Sequence, residues 1–405
     1  MTFAGVTVAV VLLALAVAST LLPAIDRRGL WLPLHLGLAG AAGTAVAAVL
    51  PFFTAALAVA RPAHPLLRLA AIGLIAGGAV AVSVGVAWAV TPLAVAGGLA
   101  YLGGMGLVAA AAFAPLRGSL GTRRRLVEWA YATAIAQVAA GVALATAMLA
   151  GIGPVVEQWA LLKPAHGWLN VFGFLSVIVA ATLIHLAPTV AGTRIRPRRS
   201  ALVAVVGLGL GATLIALGYA LASDPVARGG ALVELAGAVG LVHHAFGVQH
   251  DRGRWTTDAS WHRLTAWSLV AAPVWFLVAV CISAGRVLWL GAAADAWALD
   301  LVAAPLAIGW LGQVLVGAWS HLLPAIGPGG IPVHARQRRA LGRLASLRVV
   351  SLNGGVLAIL AGLVFGAGAL VTAGLVASLG ALAVGVVLFG RAAVGSQPGA
   401  GAGGG

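Results

Sequence analysis

The chain is 405 residues long, 61% hydrophobic and only 8% charged. Soluble domains average roughly half and a quarter of these classes, and a soluble core cannot bury this much apolar surface, so an ordinary globular or disordered chain is excluded. The net charge of +15 does not point to nucleic acid here, because membrane proteins collect Arg and Lys in their cytoplasmic loops.

Continuous apolar runs of spanning length recur along the chain, which predicts an all-α polytopic membrane protein. A β-barrel would show alternating segments of about ten residues instead. Met1 to Pro23 lacks a basic leader region, so it reads as the first span and not as a cleaved signal. About twelve spans are predicted, at 3–23, 31–58, 66–90, 92–114, 126–150, 166–187, 200–222, 230–249, 264–285, 299–323, 347–366 and 368–390. Residues 1–391 form one transmembrane domain on this reading, and the Gly-rich 392–405 segment a disordered tail.

Arginines fill the loops after the even-numbered spans: Arg123, Arg124 and Arg125 after the fourth, Arg252, Arg254 and Arg263 after the eighth, Arg336, Arg338, Arg339 and Arg343 after the tenth. The odd-numbered loops hold few, including Lys163, the single lysine. This asymmetry places both termini in the cytoplasm. Arginine in place of lysine, with abundant Ala, Gly and Val, suits a GC-rich bacterial genome and hence the bacterial cytoplasmic membrane. The single Cys281 excludes an internal disulfide.

A pattern occurs twice. Gly173 to Pro188 reads GFLSVIVAATLIHLAP and Gly309 to Pro324 reads GWLGQVLVGAWSHLLP, with His185 and His321 in matching places. A weaker copy ends at Pro51, and the three prolines are spaced by 137 and 136 residues. Such a period predicts three four-helix pseudo-repeats.

Twelve helices in three arcs of four, both ends inside, resemble subunit I of the haem-copper oxidases and the NnrS-type membrane proteins. The closest local resemblance is HGWLNVFGFLSVIVAATLIHLAP, His166 to Pro188. The membrane region preceding copper-oxidase domains in some actinobacterial fusion proteins is similar too. The resemblance implies haem or copper held by histidines, and a cupredoxin or cytochrome partner beside the lipid bilayer. The departures are specific: Trp168 stands where the motif has its second histidine, and the tenth span carries Gln313 but no histidine in its outer half. A complete oxygen-reducing centre is not implied; a relative with one haem, one copper or no cofactor is.

Candidate ligands follow. His166 and Asn170 are four apart and share a helix face, which suits a metal ligand with an amide beside it, or an interfacial pair. His35, near the outer end of the second span, is placed to meet His166, or to face headgroups. His185 and His321 suit a bis-histidine haem; alternatively they satisfy carbonyls freed by the prolines three residues on. His243 and His244 resemble paired copper ligands, but adjacent helical residues diverge by about 100°, so they share an ion only if the helix breaks. Glu234 is the acid placed well within a span, with Arg228 its nearest basic neighbour in sequence. Gln137, Gln313 and Asn353 are expected to bond between helices, and His64, His262 and His334 to lie solvated in basic loops. The functions left open are a haem- or copper-binding redox or metal-handling protein, a cofactor-free transporter, and a membrane scaffold for a copper or cytochrome partner.

Overall fold

The computed structural model describes residues 2–118, 125–196, 198–252, 260–326 and 330–394. Arg123, Arg124, Arg254 and the tail from 395 onward lie outside them. The described residues form helices and no strand. In chain order these are α1 Thr2–Ser19, α2 Trp31–Leu57, α3 Pro65–Ala87, α4 Thr91–Phe113, α5 Arg125–Leu149, α6 Trp159–Ala191, α7 Arg199–Ala220, α8 Asp224–Arg252, α9 Ser260–Leu290, α10 Ala294–Ala325, α11 Ile331–Leu341, α12 Ala345–Val364 and α13 Gly368–Val394.

Eleven helices among the described residues are long and apolar enough to cross a bilayer. This is an all-α polytopic membrane protein. The first predicted span is the shorter apolar helix α1. The short basic helix α11, with Arg336, Arg338 and Arg339, was not foreseen; its charge keeps it out of hydrocarbon. By contacts the chain divides into two compact units. One comprises Met1–Ala181, Leu208–Ala231 and Gly291–Ala294, the other Thr182–Gly207, Leu232–Leu290 and Asp295–Gly405.

One helical hairpin recurs three times. In the first, the backbone N–H of Val90 donates to the Gly85 carbonyl at 2.7 Å; in the second, Ser223 to Gly218 at 2.8 Å; in the third, Ala367 to Gly362 at 2.8 Å. The residue just before each donor is left-handed, with φ of 56° at Ala89, 49° at Ala222 and 66° at Gly366. This is the helix stop in which a left-handed residue turns the chain and satisfies the last carbonyls. The returning helix then crosses close to the glycine. A Cβ added at Gly85 would stand 2.5 Å from the Ala94 nitrogen, at Gly218 2.5 Å from that of Ala227, and at Gly362 2.6 Å from Val371 Cγ2. Small residues let helix backbones approach in lipid, where dispersion contacts replace the hydrophobic driving force.

Each of three other helices contains one π-helical turn: His35–Ala42 in α2, Trp168–Leu175 in α6 and Pro305–Gly312 in α10. Each turn packs a glycine on the helix that opens its set of four. Gly40 meets Leu12 of α1, Gly173 meets Gln137 of α5, and Gly309 meets Trp275 of α9. The repeat is thus present in local geometry as well as in letters.

Its register differs from the one the prolines suggest. The π-turns of α2 and α6 begin 133 residues apart. Their ends agree: the Ala60 N–H bonds the Ala55 carbonyl, and the Thr193 N–H bonds that of Pro188. Pro188 therefore corresponds to Ala55, one helical turn beyond Pro51. Proline tolerates either place because neighbouring groups in a membrane bundle re-satisfy the freed carbonyl.

Candidate metal centre

His35 opens the π-turn of α2, and His166 stands two residues before that of α6. A π-turn inserts one residue into a helix and recurs at functional sites. The local sequences favour such an irregularity. Pro33 and Pro164 withhold an N–H shortly before each turn, and Gly37, Gly40, Gly167 and Gly173 lower the resistance to a wider helix.

The two half-buried imidazoles come together within the first unit, with parallel planes, 4° apart, and centroids separated by 6.4 Å. His35 Nδ1 lies 2.8 Å from the Trp31 carbonyl oxygen, and His166 Nδ1 lies 2.8 Å from that of Gly141 on α5. A carbonyl can only accept, so Nδ1–H donates in both rings and Nε2 carries the lone pair in both. The Asn170 amide donates to the His166 carbonyl at 2.7 Å, and its nitrogen also lies 3.1 Å from His166 Nδ1, the ring nitrogen that faces the Gly141 carbonyl. Trp31 stacks on His35 with centroids 3.9 Å apart, holding that ring from one face. Tethering one imidazole nitrogen to a backbone carbonyl orients the other for a metal.

An ion held by two imidazole nitrogens at about 2.0 Å each places opposed ring centroids roughly 6 to 6.5 Å apart. The observed centroid separation of 6.4 Å lies in that range, with the rings stacked. Among the described residues no group of three His, Cys, Asp or Glu side chains could hold a metal. Two open surface depressions, of 470 and 350 Å³, are lined by Val8, Leu12, Val80 and Leu93 and by Phe113, Arg125, Glu128 and Trp129.

The other candidates lie on several helices. Trp168 is wholly buried and stacks on Phe172 at 4.4 Å, so it fills the bundle instead of facing a cofactor. Helix α8 runs unbroken through His243 and His244, leaving His243 exposed and His244 buried. The condition for a shared ion, a break in that helix, is not met. His185 lies in α6 and His321 in α10, and the ring found beside His321 is that of His262. Glu234 is fully buried, whereas Arg228 is half-exposed and pairs with Asp224 at 3.5 Å.

The expected interhelical amides are in place. Gln137 donates to the Gly209 carbonyl at 2.7 Å and to Thr213 Oγ1 at 2.9 Å. Gln313 and Asn353 bond one another, and Trp275 Nε1 donates to Asn353 Oδ1 at 2.7 Å. His64 is exposed and accepts from the Leu66 N–H at the start of α3. His262 is a correction: it is buried in the first turn of α9, with Nε2 at 2.9 Å from the Val190 carbonyl. The apolar run of the ninth span begins two residues on, at Leu264, and that was the signal that it belonged to the helix. His334 also lies in a helix, α11.

No protein-family model matches the chain, and no curated protein matches it.

Proposed function

We propose that this is a membrane-embedded metal-handling protein in which His35 and His166 hold a copper ion through their Nε2 atoms. The observation that supports it is the pair of parallel rings with both Nδ1 atoms tied to backbone carbonyls. On this reading the chain is a reduced relative of haem-copper oxidase subunit I that keeps the three-arc plan and lacks the full ligand set. The arginine asymmetry puts both termini in the cytoplasm of a bacterium and the His35–His166 pair near the outer face. There the half-exposed rings can exchange copper or electrons with a cupredoxin or cytochrome.

Bound copper would supply an electron-accepting or ligand-exchanging centre. The protein's own residues set the tautomers through Trp31 and Gly141, brace His35 with Trp31, and place Lys163 one turn before His166. The decisive experiment is metal analysis and anaerobic Cu(I) titration of protein purified from a bacterial membrane, with an absorption spectrum for haem. One equivalent bound by the wild type and lost in His35→Ala and His166→Ala supports the reading. Folded wild-type protein that takes up no copper sinks it.

A transporter without a cofactor is the second reading. It draws on the three interrupted helices, since transporters build substrate sites where membrane helices depart from α geometry. Substrate-dependent flux in vesicles that survives His35→Ala would favour it.

A further inference from the structure

Helix α11, in the second unit, is anchored on one side and exposed on the other. Its 11 residues reach about 16 Å, too short to cross a bilayer. Gln337 and Leu341, one turn apart, are buried. Gln337 Nε2 donates to the Ala392 carbonyl at 3.4 Å, and Leu341 packs with Leu323 of α10 and with Phe389 and Ala392 of α13. Arg348 of α12, itself buried, donates through Nη1 to the Leu341 carbonyl at 3.0 Å, which sets a cation on the last carbonyls of α11. The opposite face carries Arg336, Arg339 and Arg343, all exposed. The chain stays helical that far, since the Arg343 N–H bonds the Ala340 carbonyl at 3.2 Å. At about 100° per residue the three fall within roughly 60° of one another, turned away from Gln337 and Leu341. No Asp or Glu follows Asp300 in the chain, so this stretch brings no acid of its own to neutralise them.

The next helix sets their depth. Leu347, Val350 and Leu357 of α12 are exposed apolar side chains on one helix face, and on a bilayer-spanning helix such a face meets acyl chains. Leu347 stands three residues, roughly 4.5 Å, beyond the cap residue Leu344, and Arg343 precedes that cap. The headgroup layer is roughly 5–7 Å deep on each side of the hydrocarbon. The arginine face therefore lies at headgroup level, where lipid phosphate reaches it before any larger partner.

We propose that Arg336, Arg339 and Arg343 form a binding surface for anionic phospholipid headgroups of the adjoining leaflet. Each guanidinium can grip a phosphate through paired N–H donors. Because Gln337, Leu341 and Arg348 already hold the helix in place, little ordering entropy opposes binding. The inference stands apart from the His35–His166 pair and does not depend on it.

The test is native mass spectrometry of the full chain in a neutral detergent, titrated with phosphatidylglycerol and with phosphatidylcholine. Wild type is expected to prefer the anionic lipid; no preference refutes the inference. Arg336→Gln/Arg339→Gln/Arg343→Gln is expected to lower that affinity about 100-fold, roughly fivefold per arginine, and to leave phosphatidylcholine unaffected. Arg336→Lys/Arg339→Lys/Arg343→Lys keeps the charge and is expected to keep most of the preference. Arg194→Gln/Arg196→Gln/Arg199→Gln removes equal charge from exposed positions just before and at the start of α7, and is expected to leave the preference in place. Equal losses in the two glutamine triples would reduce the effect to net charge and overturn the site. Displacement of the lipid by an equal concentration of inorganic phosphate would make it a free-anion site and overturn the lipid assignment. Should the variants fail to fold, phenylglyoxal labelling of wild type in nanodiscs decides instead, read by mass spectrometry. Arg336, Arg339 and Arg343 are expected to be shielded by phosphatidylglycerol and not by phosphatidylcholine, and equal labelling in both overturns the inference.

Discussion

The ring planes of His35 and His166 lie 4° from parallel, with centroids 6.4 Å apart, although 130 residues separate them in the chain. Each ring is turned by a backbone carbonyl, and one of these, Gly141, belongs to a third helix. A Cβ on Gly141 would run into the Asn170 amide, so Gly141→Ala is expected to push Asn170 and His166 aside without altering either proposed ligand. Cu(I) affinity should then fall about 10- to 100-fold, as for other outer partners of metal ligands. His166→Ala, which removes a ligand outright, should cost at least as much. Competition titration measures both, and equal affinity of Gly141→Ala and wild type would disprove the positioning role.

The three hairpins make a sharper structural prediction, because the same left-handed position carries alanine twice and glycine once. A Cβ at positive φ costs roughly 1 kcal/mol, and glycine removes that strain. Ala89→Gly and Ala222→Gly should therefore stabilise the protein by about 0.5–1 kcal/mol, less what glycine loses in unfolded-chain entropy. Gly366→Ala should destabilise it by about 1 kcal/mol. Reversible unfolding in mixed micelles reads all three, and a common sign across them would contradict the shared turn geometry.

Neighbouring glycines in α3 should behave oppositely. A Cβ on Gly78 would meet the Gly97 carbonyl oxygen at 2.7 Å and the Tyr101 nitrogen at 2.8 Å, while one on Gly77 meets nothing within 4 Å. Backbone cannot give way as a side chain can, so Gly78→Ala is expected to cost about 1–3 kcal/mol. Gly77→Ala should be neutral or stabilising by up to about 1 kcal/mol through helix propensity. Thermal unfolding monitored by circular dichroism separates the two, and equal melting temperatures would mean the hairpin is not packed this way.

Much of this architecture was legible in the letters. Eleven spans lie close to their predicted places because an apolar run must satisfy its backbone internally, which in lipid means a helix. The repeat was visible through Gly173, Gly309, Pro188 and Pro324, whose glycines proved to seat the π-turns on the neighbouring helix. The register of the weakest copy was not visible, because Ala55 carries none of the signal that Pro188 does. His35 and His166 could be nominated from their depth in the spans. Their tautomers could not, since the Gly141 carbonyl that sets one of them is a backbone atom of another helix. His262 was misplaced for a similar reason: the basic loop before it masked a buried first turn.

The Gln313–Asn353 pair offers a quantitative check on the interior of the second unit. Asn353 Nδ2 donates to Gln313 Oε1 at 3.3 Å and to the Val349 carbonyl at 2.8 Å, while Asn353 Oδ1 accepts from Gln313 Nε2 and Trp275 Nε1. Gln313 is fully buried. Replacing one partner leaves the other's polar atoms unmatched in an apolar interior, whereas replacing both removes the mismatch. Gln313→Leu and Asn353→Leu should each destabilise by about 1–2 kcal/mol, and the double variant by less than their sum. The coupling should fall near 0.6 kcal/mol and not exceed about 1.7 kcal/mol, the range for side-chain bonds between membrane helices. Trp275→Phe deletes one donor to the same oxygen and leaves a smaller aromatic ring in a buried place, so its cost combines a lost bond with lost packing. A double-mutant cycle with additive costs would show that the two amides do not act as a bonded pair, and the geometry around the third π-turn would have to be redrawn.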